Sequence, residues 1–382
     1  MFRIAVWSLV GALALSAALF VVWILTLPAS SPGVAPPVAR EEREATLAAL
    51  KPPRRARPLI AVVGLNDSTE VTDYLMPYGV LRRADVADVV ALAMARGPVK
   101  LFPALTVEAQ ATVAEFDARH PDGADYVIVP AMSRDDDPAV LAWLKSQAAK
   151  GAIVVGVCAG AKVVAAAGLL DGKRATTHWY YLDQLRKRTP TLRYVADRRV
   201  VVDGRVATTT GVTASMPMAL MLVEAIAGRE KADAVAREVG LARYDVRHDS
   251  GAFAFTRAFA TTALGNVLAF WNRERIGIAL EPGVDEIALA LAADAWSRTW
   301  RSHAETYAAA GPVTTRGGLR IAPDHVAVAM AVDHALPPID DRPAMQILDR
   351  ALGAIETRYG ARTADFVAMQ LEYPRPPRNL AR

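Results

Sequence analysis

The order of apolar and polar positions divides the chain into stretches of different character. Residues 4–27 form an apolar run of roughly two dozen residues without a charge, enough helix to cross ~30 Å of hydrocarbon. Residues 28–57 have no sustained period and are rich in proline, alanine and charge, with one short helical pattern at 40–50. This composition predicts a spacer. From residue 58 the pattern changes to short β-branched runs separated by helical spacing. Residues 59–65, 126–129 and 153–157 read as buried strands, 71–94 as helix interrupted at Pro77 and Gly79, and 138–150 as a helix stopped by Gly151. Residues 199–202 and 205–209 flank Asp203-Gly204 as a hairpin, and a helix from Thr213 to about Ala227 follows. Strands separated by helices predict right-handed crossovers and an α/β, doubly wound, mostly parallel sheet, with its sites at the carboxyl ends of the strands.

Residues 252–271 are apolar enough to raise the question of a second span. Arg257 and Asn266 make insertion costly, so 246–274 is expected to be a connecting helix, buried or interfacial. At the N-terminus, Trp7 and Trp23 lie near the ends of the first run, as interfacial aromatics do. The expectation is a single-pass anchor over 1–27 in a bacterial-type inner membrane. Arg3 favours an exported, periplasmic soluble part, and the basic residues from Arg40 to Arg57 pull the other way. A cleaved leader ending at Pro28-Ala29-Ser30-Ser31 is the alternative.

Composition narrows the function classes. A chain of 382 residues with 53% hydrophobic content supplies cores for two domains. The formal charge of +4 is mild and its arginines are scattered among acidic residues, so no basic stripe points to nucleic acid. The histidines show no metal-ligand spacing, and neither a metal nor a cofactor is expected. A single cysteine excludes an intrachain disulfide.

That cysteine sits in Ile153-Val154-Val155-Gly156-Val157-Cys158-Ala159-Gly160-Ala161-Lys162, where a β-branched run gives way to small residues and an Ala-rich helical stretch. The pattern places Cys158 on a strand-to-helix turn, a nucleophile elbow. Gly156 and Gly160 remove Cβ atoms that would collide on so sharp a bend. A thiol facing a helix N-terminus is expected to ionise readily. An inert, buried cysteine is the competing reading.

Gly156-Val157-Cys158-Ala159-Gly160, with Ala166 to Trp179 after it, resembles the ThiJ/PfpI superfamily, which has the flavodoxin-like, class I glutamine amidotransferase-like fold. The likeness is nearest to the isocyanide hydratases and the amidase-like domains of GlxA-type transcription regulators, and it spans 58 to about 241 within a domain of 58–245. It implies Cys158 as nucleophile and the N–H groups of Ala159 and of Ala131 or Met132 as oxyanion donors. Val71 to Leu81 resembles the hydratase segment with an aspartate four residues before a proline, which implies Asp73 as the proton-handling carboxylate; Glu70 is the alternative. Either acid also suits a helix cap. His178, in Thr176-Thr177-His178-Trp179, is expected to be structural or pocket-lining rather than a base. Two departures are visible: Pro130-Ala131-Met132 replaces the family's glycines, and Ala159 stands where hydratase-like members often have threonine.

The resemblance returns at 275–382. Ile276 to Glu286 resembles the opening strand and loop of another such domain, Gly311-Pro312-Val313 echoes Gly97-Pro98-Val99, and Ala361 to Tyr373 resembles a closing helix. No second elbow occurs, which implies a partial repeat that packs on the first domain as a partner subunit would. Taken together, the expectation is a membrane-anchored, cysteine-dependent hydrolase or hydratase for a small electrophile. The alternative is a ligand-sensing module without a helix-turn-helix domain.

Overall fold

The computed structural model describes residues 2–29 and 33–375. Seven strands form the main sheet, in the order Val200–Asp203, Val206–Thr209, Ile153–Gly156, Tyr126–Val129, Leu59–Gly64, Asp88–Ala93 and Ala111–Thr112. Neighbours are parallel throughout, apart from the antiparallel edge hairpin 200–209. Every residue of Leu59–Gly64, Tyr126–Val129 and Ile153–Gly156 is buried, which explains why these strands read as continuous apolar runs rather than alternating ones. The expected α/β sheet is therefore present, with the elbow strand in its interior.

One boundary differs from expectation. The helix begun at Val71 stops at Ala84, with Asp85 in the left-handed conformation, and Asp88–Ala93 is a strand. Val89-Val90-Ala91-Leu92-Ala93 is too short for its period to separate strand from helix, so it merged with the helical pattern before it. Pro77 lies inside the helix rather than ending it.

The C-terminal part has a second, parallel sheet, in the order His325–Val326, Ser302–Ala308, Glu274–Ala279 and His334–Ala335. Its elements follow the register of the first part. A shift of 215 positions carries Leu59–Gly64 onto Glu274–Ala279 and the start of helix Val71–Ala84 onto the start of helix Glu286–Ser297. A shift of 214 carries the hairpin pairs Val99↔Val107 and Lys100↔Thr106 onto Val313↔Ile321 and Thr314↔Arg320. The two hairpins join edge to edge with Val107 opposite Ile321, flanked by Thr106↔Ala322 and Glu108↔Arg320. Equivalent residues thus meet across a local two-fold, as in an isologous interface.

Helices Val71–Ala84 and Glu286–Ser297 pack against each other so closely that a Cβ on Gly79 would lie 2.6 Å from Ile287 Cγ1. Their ends exchange ion pairs. Arg83 reaches Asp285, which caps the C-terminal helix, and Arg298 reaches Glu70, which caps the N-terminal one at 2.6 Å. The 215 shift relates Glu70 to Asp285 and Arg83 to Arg298.

Two expectations need correction. The stretch before residue 58 is not a free spacer from residue 40 onward. Helix Arg40–Ala49 is tied down by Glu42–Arg198 and Arg43–Glu224, Leu50 is fully buried, and Arg54 and Arg55 both grip the buried Asp125. Charges that read as solvated are partnered by groups far away in sequence. The second concerns the membrane. Phe2–Thr26 is helical, but most side chains of its first half are outside the described residues. Among the described residues no helix is long and apolar enough to cross a membrane, so the expected span is not supported. Ser30 and Ser31, of the alternative leader, lie outside the described residues.

The connecting segment is a short helix, Arg257–Leu268, with Phe259, Ala260 and Asn266 buried and Leu264, Val267 and Leu268 exposed. Phe259 packs on Phe366 of helix Ala361–Gln370 at 4.8 Å between ring centroids. It is half-buried on the C-terminal part, consistent with the polar positions that argued against a span.

Candidate active site

Cys158 lies between strand Ile153–Gly156 and helix Gly160–Ala166, and its φ of +56° is a left-handed conformation that side chains rarely adopt. Two threonines hold the turn. The Cys158 N–H donates to Thr209 Oγ1 at 3.0 Å, and Thr177 Oγ1 donates to the Cys158 carbonyl at 3.0 Å. Gly160 is required by close approach, since a Cβ there would stand 2.0 Å from the Val129 carbonyl oxygen. Gly156 is tight in the same sense, with Ala161 Cα and N at 3.0 Å from a built Cβ.

The thiol is almost sealed, with Cys158 only 4% exposed. Burial, followed by the nearby charges of Asp73, Glu70 and Glu372, pushes its pKa well above the ordinary thiol value. The Ala159 N–H, hydrogen-bonding the sulfur, works against that shift. The expected low-pKa thiolate is therefore overturned. A seven-residue helix with acids gathered around its first turn supplies too little positive potential to offset desolvation of the anion.

Asp73 is fully buried. Burial first, and then the charge of Glu70, raises its pKa well above the usual carboxylate range. Its Oδ2 accepts the Ala131 N–H at 3.1 Å, and its Oδ1 has no hydrogen-bond partner among the described residues. Glu70 is the cap of the Val71 helix, accepting from Asp73 N at 2.6 Å and from Thr72 Oγ1 at 2.8 Å. Its other oxygen receives Arg298.

The remaining predicted residues fall close by with altered duties. Ala131 N–H is held by Asp73 and its carbonyl accepts Glu70 N, so it is not a free oxyanion donor. Met132 forms an antiparallel bridge with Thr69. Ala159 alone directs its N–H at the sulfur. His178 Nδ1 accepts Tyr180 N at 3.1 Å and its Nε2 meets the Gln370 carbonyl at 2.9 Å, so both ring nitrogens are engaged. Lys162 pairs with Asp135 at 2.5 Å and sits over the Tyr181 ring. Among the described residues no group of three or more His, Cys, Asp or Glu side chains is arranged to hold a metal ion.

Several participants were not legible beforehand. Arg298, Asp294, Gln370 and Glu372 come from the C-terminal part, and Arg298 bridges Glu70 to Asp294, with Nε 2.7 Å from Asp294 Oδ1. Burial raises the Asp294 pKa to about 7, against the pull of Arg298. The one advance signal for Arg298 was its place in a helix of similar register, 215 positions after Arg83.

Comparisons with known proteins match the part of the chain that carries this strand-to-helix bend. Residues 60–225 are a DJ-1/PfpI family domain. The isonitrile hydratase of Pseudomonas putida is 45% identical over 101 residues, which is 26% of this chain and 42% of that protein. The HTH-type transcriptional regulator CdhR of Pseudomonas aeruginosa is 36% identical over 112 residues, 29% of this chain and 33% of that protein. The chain thus spans less than half the length of these two curated relatives. A crystal structure of a ThiJ/PfpI family protein from Pseudomonas syringae aligns at 22% identity with a TM-score of 0.45, covering 56% of this chain and 84% of that one. The DJ-1/PfpI domain ends at 225, so Arg298 and Glu372 reach its cysteine from outside the matched region.

Proposed function

We propose that the protein is a cysteine-dependent hydrolase or hydratase that acts on a small molecule with an electrophilic carbon multiply bonded to nitrogen or oxygen. The observation that carries this is the pairing of Cys158, in a strained left-handed turn, with Asp73, a buried acid with one unpartnered oxygen. Burial holds both groups towards their protonated forms, which suits net addition of S–H. Sulfur bonds to carbon while Asp73 gives its proton to the heteroatom and takes up the thiol proton. Water then adds to the same carbon, the C–S bond breaks, and the thiol regains a proton. Ala159 N–H supports the sulfur through both steps.

The test is a product screen by NMR over isocyanides, nitriles, amides and aldehydes, using the full chain beside Cys158→Ala and Asp73→Asn. Turnover by the native chain that both substitutions abolish is expected. Turnover that survives Cys158→Ala would end this reading.

A second reading has its own support. The near-complete burial and raised pKa of Cys158 fit a ligand-sensing module related to the regulator relatives, in which a small molecule binds without reacting. Binding without turnover across the same screen would favour it.

The C-terminal part is proposed to be a partial second copy of the domain that lacks the nucleophile strand and serves in place of a partner subunit. The constant shifts in register, the paired hairpins and the reciprocal Arg83–Asp285 and Arg298–Glu70 contacts support this.

A further inference from the structure

A cavity of about 300 Å³ opens between the DJ-1/PfpI domain, the connecting segment and the C-terminal tail. Its walls are aromatic, with Trp179, Tyr180 and Tyr194 from the domain and Phe253 and Phe255 from the connector. Thr177 and Thr210 also line it, next to the turn that holds Cys158, but Cys158 is not in its lining. Its single deeply buried acid is Glu372, 4% exposed.

Glu372 occupies an unfavourable place in the backbone. Helices Ser215–Ala227 and Arg229–Val239 meet at Gly228, and helices Ala344–Tyr359 and Ala361–Gln370 meet at Gly360, both at φ near +86° (87° and 85°). The shift of 132 positions that relates those glycines carries Gly240 onto Glu372. The hydrogen bonds agree: Gly240 N to Arg237 O and Leu241 N to Ala236 O become Glu372 N to Met369 O and Tyr373 N to Ala368 O. Gly240 closes its helix at φ +81°, the ordinary residue for a left-handed cap. Glu372 adopts φ +49° at the equivalent point, where a side chain is disfavoured. Such strain is retained where the side chain has a use.

That side chain is threaded inward over Gly211, where a Cβ would lie 2.7 Å from Glu372 Cγ and Cδ. Its Oε1 accepts the Trp179 N–H at 2.8 Å. Its Oε2 is buried, lies 3.3 Å from His248 Nε2 and makes no hydrogen bond among the described residues. His248 is stacked flat on Phe253, and burial holds it towards the neutral form despite Glu372. Arg199 is a nearby cation, as is Arg186, whose guanidinium lies 4.8 Å from the centre of the Tyr194 ring, while Asp183 stands exposed at the mouth and Asp197 and Asp249 lie beside His248.

We infer that this cavity binds a small organic amine in its ammonium form, its N–H groups donating to Glu372 Oε2 and its body lying among the aromatic walls. A carboxylate oxygen without a hydrogen bond, backed by aromatic faces, favours a cation that can also donate. The volume admits a molecule of benzylamine size. The site goes beyond the proposed reaction, because binding is read without turnover and Cys158 is not in the cavity lining.

The test is calorimetric titration of the full chain with benzylammonium, benzyltrimethylammonium and benzyl alcohol at neutral pH. Benzylammonium is expected to bind at least tenfold more tightly than either of the others. Glu372→Gln keeps an acceptor for Trp179 N–H and removes the charge, so it should weaken benzylammonium at least tenfold and leave benzyl alcohol unchanged. Equal affinities for the three probes, or undiminished binding in folded Glu372→Gln, would overturn the inference. Should Glu372→Gln fail to fold, Tyr180→Ala decides, since Tyr180 is half-exposed on the cavity wall. A several-fold weakening supports the site and an unchanged affinity overturns it.

Discussion

Replacing Arg298 by methionine removes one guanidinium from two buried carboxylates at once. Arg298 has a side chain only 14% exposed, lies 2.6 Å from Glu70 Oε1 and 2.7 Å from Asp294 Oδ1, and is the contact through which the C-terminal part reaches the acids beside Cys158. Breaking a buried pair from one side costs about 3–5 kcal/mol, because the partner is left charged and desolvated. The penalty should depend on pH. Asp294 titrates at about 7 with Arg298 in place and higher without it, so at pH 6 it holds a proton in both chains and little is lost. At pH 8 the native chain has an ionised Asp294 paired with Arg298, which the variant must protonate or leave unpaired. Urea unfolding of the full chain at pH 6 and pH 8 measures this, with Arg83→Met as the control. Arg83 is more deeply buried still and pairs with Asp285 at the other end of the helix pair, away from the cysteine. Both variants should lose about 3–5 kcal/mol at pH 8. Arg298→Met alone should lose less at pH 6, and it alone should slow alkylation of Cys158 by taking a positive charge from the thiolate. A loss for Arg298→Met under about 0.5 kcal/mol, or one equal at both pH values, would refute the reasoning.

Two further outcomes follow from the same burial. Iodoacetamide should modify Cys158 slowly at pH 7, and its rate should rise only above the ordinary thiol range near ~8.5; an apparent pKa below that value would contradict the desolvated site. The folded pKa values of Asp73 and Asp294 are raised, so the native state binds their protons more tightly than the unfolded chain and stability falls as pH climbs through them. Glu42, Asp135, Asp245 and Glu274 are lowered, and the stability they contribute is lost as pH falls below about 4. The native chain is therefore expected to lose melting temperature relative to Asp294→Asn between about pH 4 and about pH 7, and to lose no more above that. A difference between the two chains that stays constant from about pH 4 to about pH 7 would show the sign to be wrong.

The elbow, the three buried central strands, the Asp203-Gly204 hairpin and the candidate pair of Cys158 and Asp73 were all legible in the linear order of residues. Each rests on short-range chemistry: a glycine where backbones approach, an apolar run where a strand is covered on both faces, a capping acid one residue before a helix. The proposed repeat left its signals in the opening strand and loop, the Gly-Pro-Val echo and the closing helix. Strand Asp88–Ala93 and the docking of 40–57 were not, because a five-residue apolar run fits two periods and an arginine does not announce which distant carboxylate it will meet. The direction of the thiol pKa went the same way. A helix N-terminus is visible in a sequence, but the depth of burial and the acids converging on the sulfur are not. Only the tertiary structure brings Arg298 to Glu70 and threads Glu372 over Gly211, since those contacts span 228 and about 160 residues and depend on two half-similar units meeting across a local two-fold.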